Sequence, residues 1–138
     1  MISIIVGTHG NFGVELVKSA EMIFGKQDQV TSVAMAGSDS LDVVKEKFTT
    51  AINQYSNENQ VLLLTDLFGG TPFNVCAQIV ATDSKRFELV AGVNLGMVLE
   101  SFTSLNMDVH ELADHLVSSG QQAIRKFEMP KDEEDDLI

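Results

Sequence analysis

The chain has 138 residues, 44% of them apolar, which suits one domain with a substantial core. Twenty acidic residues against nine basic ones give a formal net charge of −11, which argues against nucleic acid and anionic membrane surfaces as direct partners, since both reward basic patches. No apolar stretch approaches the roughly 18–20 residues that span a bilayer, no secretory pattern opens the chain, and the single cysteine, Cys76, excludes an intramolecular disulfide and any multi-cysteine metal site.

A cytoplasmic protein without direct membrane insertion is expected, with neither cofactor nor metal. In chain order, the run at residues 2–6 reads as a fully buried strand of a parallel sheet. Gly7-Thr8-His9-Gly10-Asn11-Phe12-Gly13 follows, a glycine-flanked histidine in a strand-to-helix loop, where open α/β folds place ligands and chemistry. Phe12, Leu16, Ala20 and Ile23 recur at helical spacing and predict a helix over 12–24. Residues 30–36 read as a second strand, closed by Gly37-Ser38-Asp39 turn chemistry. Leu41, Val44, Phe48, Ala51, Ile52 and Tyr55 trace an amphipathic helix.

Residues 61–65 read as a central strand, with Asp66 at its end. Leu67-Phe68-Gly69-Gly70 is a second glycine loop, and Thr71-Pro72 predicts a capping hydroxyl with proline at the first helical position. Cys76, Ile79 and Val80 face inward on the helix that follows, and Cys76 is expected as a small buried apolar residue. A fourth strand spans 87–93, and Leu95, Val98, Phe102 and Leu105 mark a short helix. Asp108-Val109-His110-Glu111 reads as a capping box for a helix through Val117, with His110 and His115 as solvated residues on it. Beyond Gly120, residues 123–129 are ambiguous between helix and extended chain. Residues 131–138 form an acidic tail, expected to be disordered, after a single domain over 1–130.

Four strands, each followed by a helix, predict an α/β fold: a doubly wound, mainly parallel sheet with helices on both faces. The common strand order for such a domain, 2-1-3-4, has its switch point between strands one and three. His9 and Asp66 would then flank one crevice. A carboxylate that accepts the N–H of one ring nitrogen fixes the imidazole tautomer and leaves the other nitrogen free to attack. Backbone N–H groups of Gly69, Gly70 and Thr71 at a helix N-terminus would cradle an anion such as phosphoryl, with the Thr71 hydroxyl as a further donor. Nucleophile, orienting acid and cradle together point to phosphoryl transfer through histidine.

Other motifs fit less well. Gly7 to Gly13 is G-x-x-G-x-x-G and lacks the G-x-G start of a dinucleotide fingerprint, and no Lys-Ser or Lys-Thr pair completes a P-loop. A response-regulator receiver needs an acidic pair where this chain has Gly7-Thr8-His9. An FMN-binding flavodoxin-like module stays open, with Phe12, Phe68 and Phe73 as the few aromatics near the loops.

Ile4-Ile5-Val6-Gly7-Thr8-His9-Gly10, then Leu64-Thr65-Asp66-Leu67-Phe68-Gly69-Gly70-Thr71-Pro72-Phe73-Asn74, then Ala91-Gly92-Val93-Asn94-Leu95 resemble the IIA component of the mannose-family sugar phosphotransferase system (PTS), in order and spacing over nearly the whole chain. The resemblance implies a cytoplasmic phosphohistidine carrier that accepts phosphoryl from HPr and passes it to a IIB component serving a membrane permease. His9 matches the phosphorylated histidine, Asp66 its carboxylate partner, and Thr71 a position often held by serine. It also implies a homodimer in which a segment near Ile124 and Phe127 adds a swapped antiparallel edge strand to the partner's sheet. Phe68 stands where tryptophan is frequent. Gly96 stands where proline is frequent, which implies a looser loop after the fourth strand. The acidic ending implies a free-standing IIA rather than one fused to IIB. The alternatives are a phosphoryl-donor subunit for dihydroxyacetone kinase and a regulatory domain of the same fold that transfers nothing.

Overall fold

The computed structural model describes residues 1–131, so all of the acidic tail except Lys131 lies outside the described residues. The strands are β1 (Ile2–His9), β2 (Val30–Met35), β3 (Gln60–Thr65) and β4 (Phe87–Ala91). The helices are α1 (Phe12–Phe24), α2 (Leu41–Ile52), α3 (Thr71–Thr82), α4 (Leu95–Ser101) and α5 (Val109–Gln122). The strands pair in the order β2-β1-β3-β4, and all three pairings are parallel.

The continuous apolar runs follow from burial on both faces. Alternate side chains of a strand point to opposite sides, so Ile4, Val6, Leu62 and Leu64 join Val17, Ala20, Val98 and Leu116 in one core beneath α1, α4 and α5. Ile5, Val61 and Leu63 join Val44, Phe48, Val75 and Cys76 in a second core beneath α2 and α3. Full burial of a side chain such as Phe48, which is completely enclosed, contributes about 1.5–3 kcal/mol. Phe48 reaches the sheet because Gly7 has no side chain; a Cβ there would collide with the Phe48 ring.

α1 buries Gly13, Val17 and Ala20, while Phe12 and Ile23 are 49% and 64% exposed. The rotation is set at Gly13, whose N–H donates to the Thr8 hydroxyl at 2.6 Å; with Gly13 against the strand, positions four and seven residues later must follow it inward. Several expectations need correction. α3 is capped by Gly70, not by Thr71, and Pro72 therefore occupies the second helical position. α5 continues past Gly120 to Gln122. Gly120 is a crossing point rather than a stop: a Cβ there would come within 2.7 Å of Met97 Cε. Asp108 caps α5 by accepting the N–H groups of His110 and Glu111 at 3.1 and 3.4 Å, but among the described residues no bond returns from the Glu111 side chain. β4 ends at Ala91 because Gly92, at φ +90°, turns the chain, and the N–H groups of Gly92 and Val93 both donate to the Thr65 carbonyl.

Gly96 does not loosen its loop. It lies in α4, and the space its Cβ would fill is taken by the Ala123 methyl at 2.6 Å. Asn94 strengthens the closure, accepting from Met97 N–H at 2.9 Å and donating through Nδ2 to the Gly120 carbonyl at 3.0 Å. Beyond Ala123 the described chain has no regular structure, and Ile124, Phe127 and Met129 are 79%, 77% and 71% exposed.

Candidate active site

Because β1 and β3 are neighbours while α1 and α3 cover opposite faces, the loops after these strands part and leave a crevice. His9 ends β1, and Gly7 is in register with Thr65, so Asp66 emerges beside the histidine. Asp66 Oδ2 accepts the His9 main-chain N–H at 3.1 Å and lies 2.9 Å from His9 Nδ1. An ionised carboxylate can only accept, so Nδ1 carries the ring proton and Nε2 presents its lone pair. The His9 side chain is 45% exposed and that of Asp66 15%, which leaves the ring open to a visitor and its anchor sheltered. Asp66 Oδ1 is buried with no hydrogen-bond partner among the described residues, so the carboxylate's hold on the protein runs through His9 alone.

The main chain around His9 is also fixed. Gly10, at φ +56°, makes the turn and donates its N–H to the Met35 carbonyl at 2.8 Å. Thr8 is fully buried, and its hydroxyl lies 3.2 Å from the His9 carbonyl as well as accepting from Gly13. Residue-type reasoning missed Thr8; its one sequence cue is a hydroxyl immediately before the histidine and five residues before a glycine.

Across the crevice, Gly70 packs against the imidazole edge. A Cβ on Gly70 would sit 2.9 Å from His9 Cε1 and 3.5 Å from Nε2, so Nε2 borders the N-terminus of α3. The N–H of Gly70 is already donated to the Leu67 carbonyl at 3.0 Å, and Gly70 contributes closeness rather than a donor. Gly69 makes the turn at φ +83°, and its carbonyl accepts from Asn74 Nδ2 at 3.1 Å. The N–H groups of Thr71 and Phe73 have no partner among the described residues, and neither does the Thr71 hydroxyl, which is freed because the cap lies one residue earlier. Pro72 between them has no N–H to offer. Leu67 and Phe68 are 60% and 79% exposed, and the Phe68 ring leans on Phe73 with centroids 4.5 Å apart. With half-exposed Phe12 they give the loops beside His9 an apolar rim.

The remaining candidates lie outside this arrangement. His110 and His115 are solvent-accessible on α5 as expected, but each is also paired: His110 Nδ1 lies 2.9 Å from Glu88 and His115 Nε2 lies 2.8 Å from Glu100, tying α5 to β4 and α4. The hydrogen bond with Glu88 holds the His110 pKa above its ordinary value, against a desolvation cost. Cys76 is buried, and burial pushes its thiol pKa far up, so it is not a nucleophile. Among the described residues no group of three or more His, Cys, Asp or Glu is placed to hold a metal ion, and no helix is long and apolar enough to cross a membrane.

Comparison with known proteins agrees with this architecture. The family model described as PTS system fructose IIA component matches residues 3–117. The fructose-specific EIIA component of Bacillus subtilis (strain 168) is 34% identical over 126 residues, covering 91% of this chain and 86% of that one. The mannose-specific EIIAB component of Escherichia coli (strain K12) is 32% identical over 126 residues, covering 90% of this chain and 39% of that longer protein. Among solved structures, the mannose/sorbose specific IIA subunit from Enterococcus faecalis superposes with a TM-score of 0.86 at 32% identity, covering 94% of this chain and 96% of that one. With a parallel 2-1-3-4 sheet and a histidine and an aspartate meeting at its switch point, the chain belongs to the mannose-type IIA family of the sugar phosphotransferase system.

Proposed function

We propose that this IIA component is a cytoplasmic phosphohistidine carrier, which takes a phosphoryl group from HPr onto His9 Nε2 and hands it to a IIB component serving a sugar permease. The observation that carries the reading is the 2.9 Å bond between His9 Nδ1 and Asp66, with Nε2 turned to the start of α3. In the transfer, the Nε2 lone pair forms a new N–P bond while the N–P bond to the donor's imidazole breaks, its electron pair returning to that ring. The Nδ1 proton stays in place. As Nε2 gives up its pair the His9 ring becomes cationic, and Asp66 lies where it offsets that charge. The N–H groups of Thr71 and Phe73, the Thr71 hydroxyl and the positive end of α3 would hold the phosphoryl oxygens. The return step uses the same contacts in reverse.

The apolar rim of Leu67, Phe68 and Phe12 suits a protein that docks two partners in turn and releases each, since modest interfaces favour exchange. The chain would act as a homodimer. β4 is an edge strand, and the exposed apolar residues of 124–131 are what a strand lent to a second copy would carry.

The test is incubation with phosphorylated HPr and mass spectrometry of the product. The label should sit on His9, be acid-labile and base-stable, vanish in His9→Ala and pass on to purified IIB. Phosphate found on His110, His115 or an aspartate would overturn the assignment.

A further inference from the structure

We propose that Thr8 is a positioning residue: its buried hydroxyl ties the His9 main chain to the first turn of α1 and thereby keeps His9 Nδ1 on Asp66. The effect on transfer rate rests on the phosphocarrier reading; the effect on ring geometry does not.

A side chain with no solvent exposure at the end of an apolar strand would ordinarily be aliphatic. Thr8 instead fills both roles of a hydroxyl. Its oxygen accepts from Gly13 N–H at 2.6 Å, and its proton is donated to the His9 carbonyl at 3.2 Å. Gly13 is shaped to this contact, because a Cβ there would lie 3.0 and 3.1 Å from Thr8 Cγ2 and Oγ1.

Three hydrogen bonds therefore fix the peptide units flanking the His9 Cα. Asp66 takes the His9 N–H, Met35 takes the Gly10 N–H, and Thr8 holds the His9 carbonyl. Without the hydroxyl, a buried N–H at the head of α1 and the His9 carbonyl both lose their partner, and a buried unpaired group is costly enough to move the chain. The cheapest movement rotates the His9–Gly10 peptide or lifts the start of α1. Either one turns the His9 N–H and ring away from a single oxygen that now receives both.

The test uses Thr8→Val, which keeps the shape and removes the hydroxyl, and Thr8→Ser, which restores it. Three measurements are made on the full chain: the folded fraction by circular dichroism, the His9 ring tautomer by ¹⁵N NMR without phosphoryl donor, and saturation kinetics with phosphorylated HPr. Thr8→Val should lose the uniform Nδ1–H signature and fall about tenfold in kcat, the scale of one hydrogen bond, with KM within about twofold. Thr8→Ser should recover both. A wild-type ring signature and rate in Thr8→Val would overturn the proposal, as would Thr8→Ser impaired as badly as Thr8→Val, which would assign the effect to methyl packing. Should Thr8→Val not fold, Gly13→Ala presses the helix start off the hydroxyl and should produce the same loss of ring signature; an unchanged signature there also overturns it. Wild-type protein that takes no label refutes the carrier reading instead, and the ring measurement still decides Thr8.

Discussion

Gly70→Ala is the most informative substitution at the crevice, because it adds one methyl group at a known distance from the His9 ring, the group proposed to carry phosphoryl. The new carbon would lie 2.9 Å from His9 Cε1 and 3.3 Å from the Leu67 carbonyl. An ordinary carbon–carbon contact is about 3.5–4.0 Å, so the ring must retreat by about 0.6–1.1 Å. The Nδ1–Oδ2 separation is now 2.9 Å, and a shift of that size with a component away from Asp66 would lengthen the bond toward the limit of hydrogen-bonding range unless Asp66 follows. A misplacement of about 1 Å at a reacting centre costs about a hundredfold in rate. Stability should change little. Gly70 has φ −74° and ψ 172°, an extended conformation open to alanine, and exchanging glycine for alanine at an N-cap costs about 0.5–1 kcal/mol. Rapid-quench transfer of labelled phosphoryl from HPr, beside a thermal melt, reads both numbers. A rate within about threefold of wild type, or a loss of rate no larger than the loss of folded protein, would refute the packing argument.

Asp66→Ala should slow transfer by about ten- to a hundredfold without abolishing it, the scale of a hydrogen bond to a charged group; complete loss of label would give Asp66 a reacting role. Thr71→Ala should cost less than Asp66→Ala in the same assay, because the N–H groups of Thr71 and Phe73 remain. Deleting residues 124–138 should convert a dimer to monomer or aggregate in sizing chromatography, and an unchanged dimer would exclude the lent strand. His110 should make stability depend on pH: because Glu88 raises its folded pKa above the unfolded value, its contribution is complete below about pH 6.5 and is lost as pH rises through the folded pKa. Urea midpoints across that range should fall more in wild type than in His110→Gln.

Much of the architecture could be read along the chain because it depends on pattern and order. Ile4-Ile5-Val6 and Val61 to Leu64 are apolar without alternation, which is what a strand covered on both sides requires. The alternation of strand and helix then limited the sheet to a few orders, and the observed order places His9 beside Asp66. What escaped the sequence depends on contacts between elements. On α1, Ala20 and part-buried Leu16 do pack on the core, but Phe12 and Ile23 of the same spacing do not, because a hydrogen bond from Gly13 to a neighbouring strand sets the rotation. Gly120 resembles a helix stop until Met97 is seen filling the place of its side chain. Of the donors expected at Gly69, Gly70 and Thr71, the Gly70 N–H is given to the Leu67 carbonyl in a turn, while the cap at Gly70 leaves the Thr71 hydroxyl available. A one-residue shift of a cap is smaller than residue-type rules resolve.

Asp66 Oδ2 receives both the main-chain and the ring N–H of one residue. The five His9 atoms from N through Cα, Cβ and Cγ to Nδ1 are closed into a loop through a single foreign oxygen, as a metal ion closes a chelate. Both side-chain torsions of a nearly half-exposed histidine are therefore chosen when the chain folds, not when a partner arrives. An encounter need not last through a rotamer search, nor supply the ordering free energy of the ring. On the proposed carrier role, a ring preset in this way would let weak, brief docking suffice, and speed of exchange between partners would not have to be gained by enlarging the surface they share.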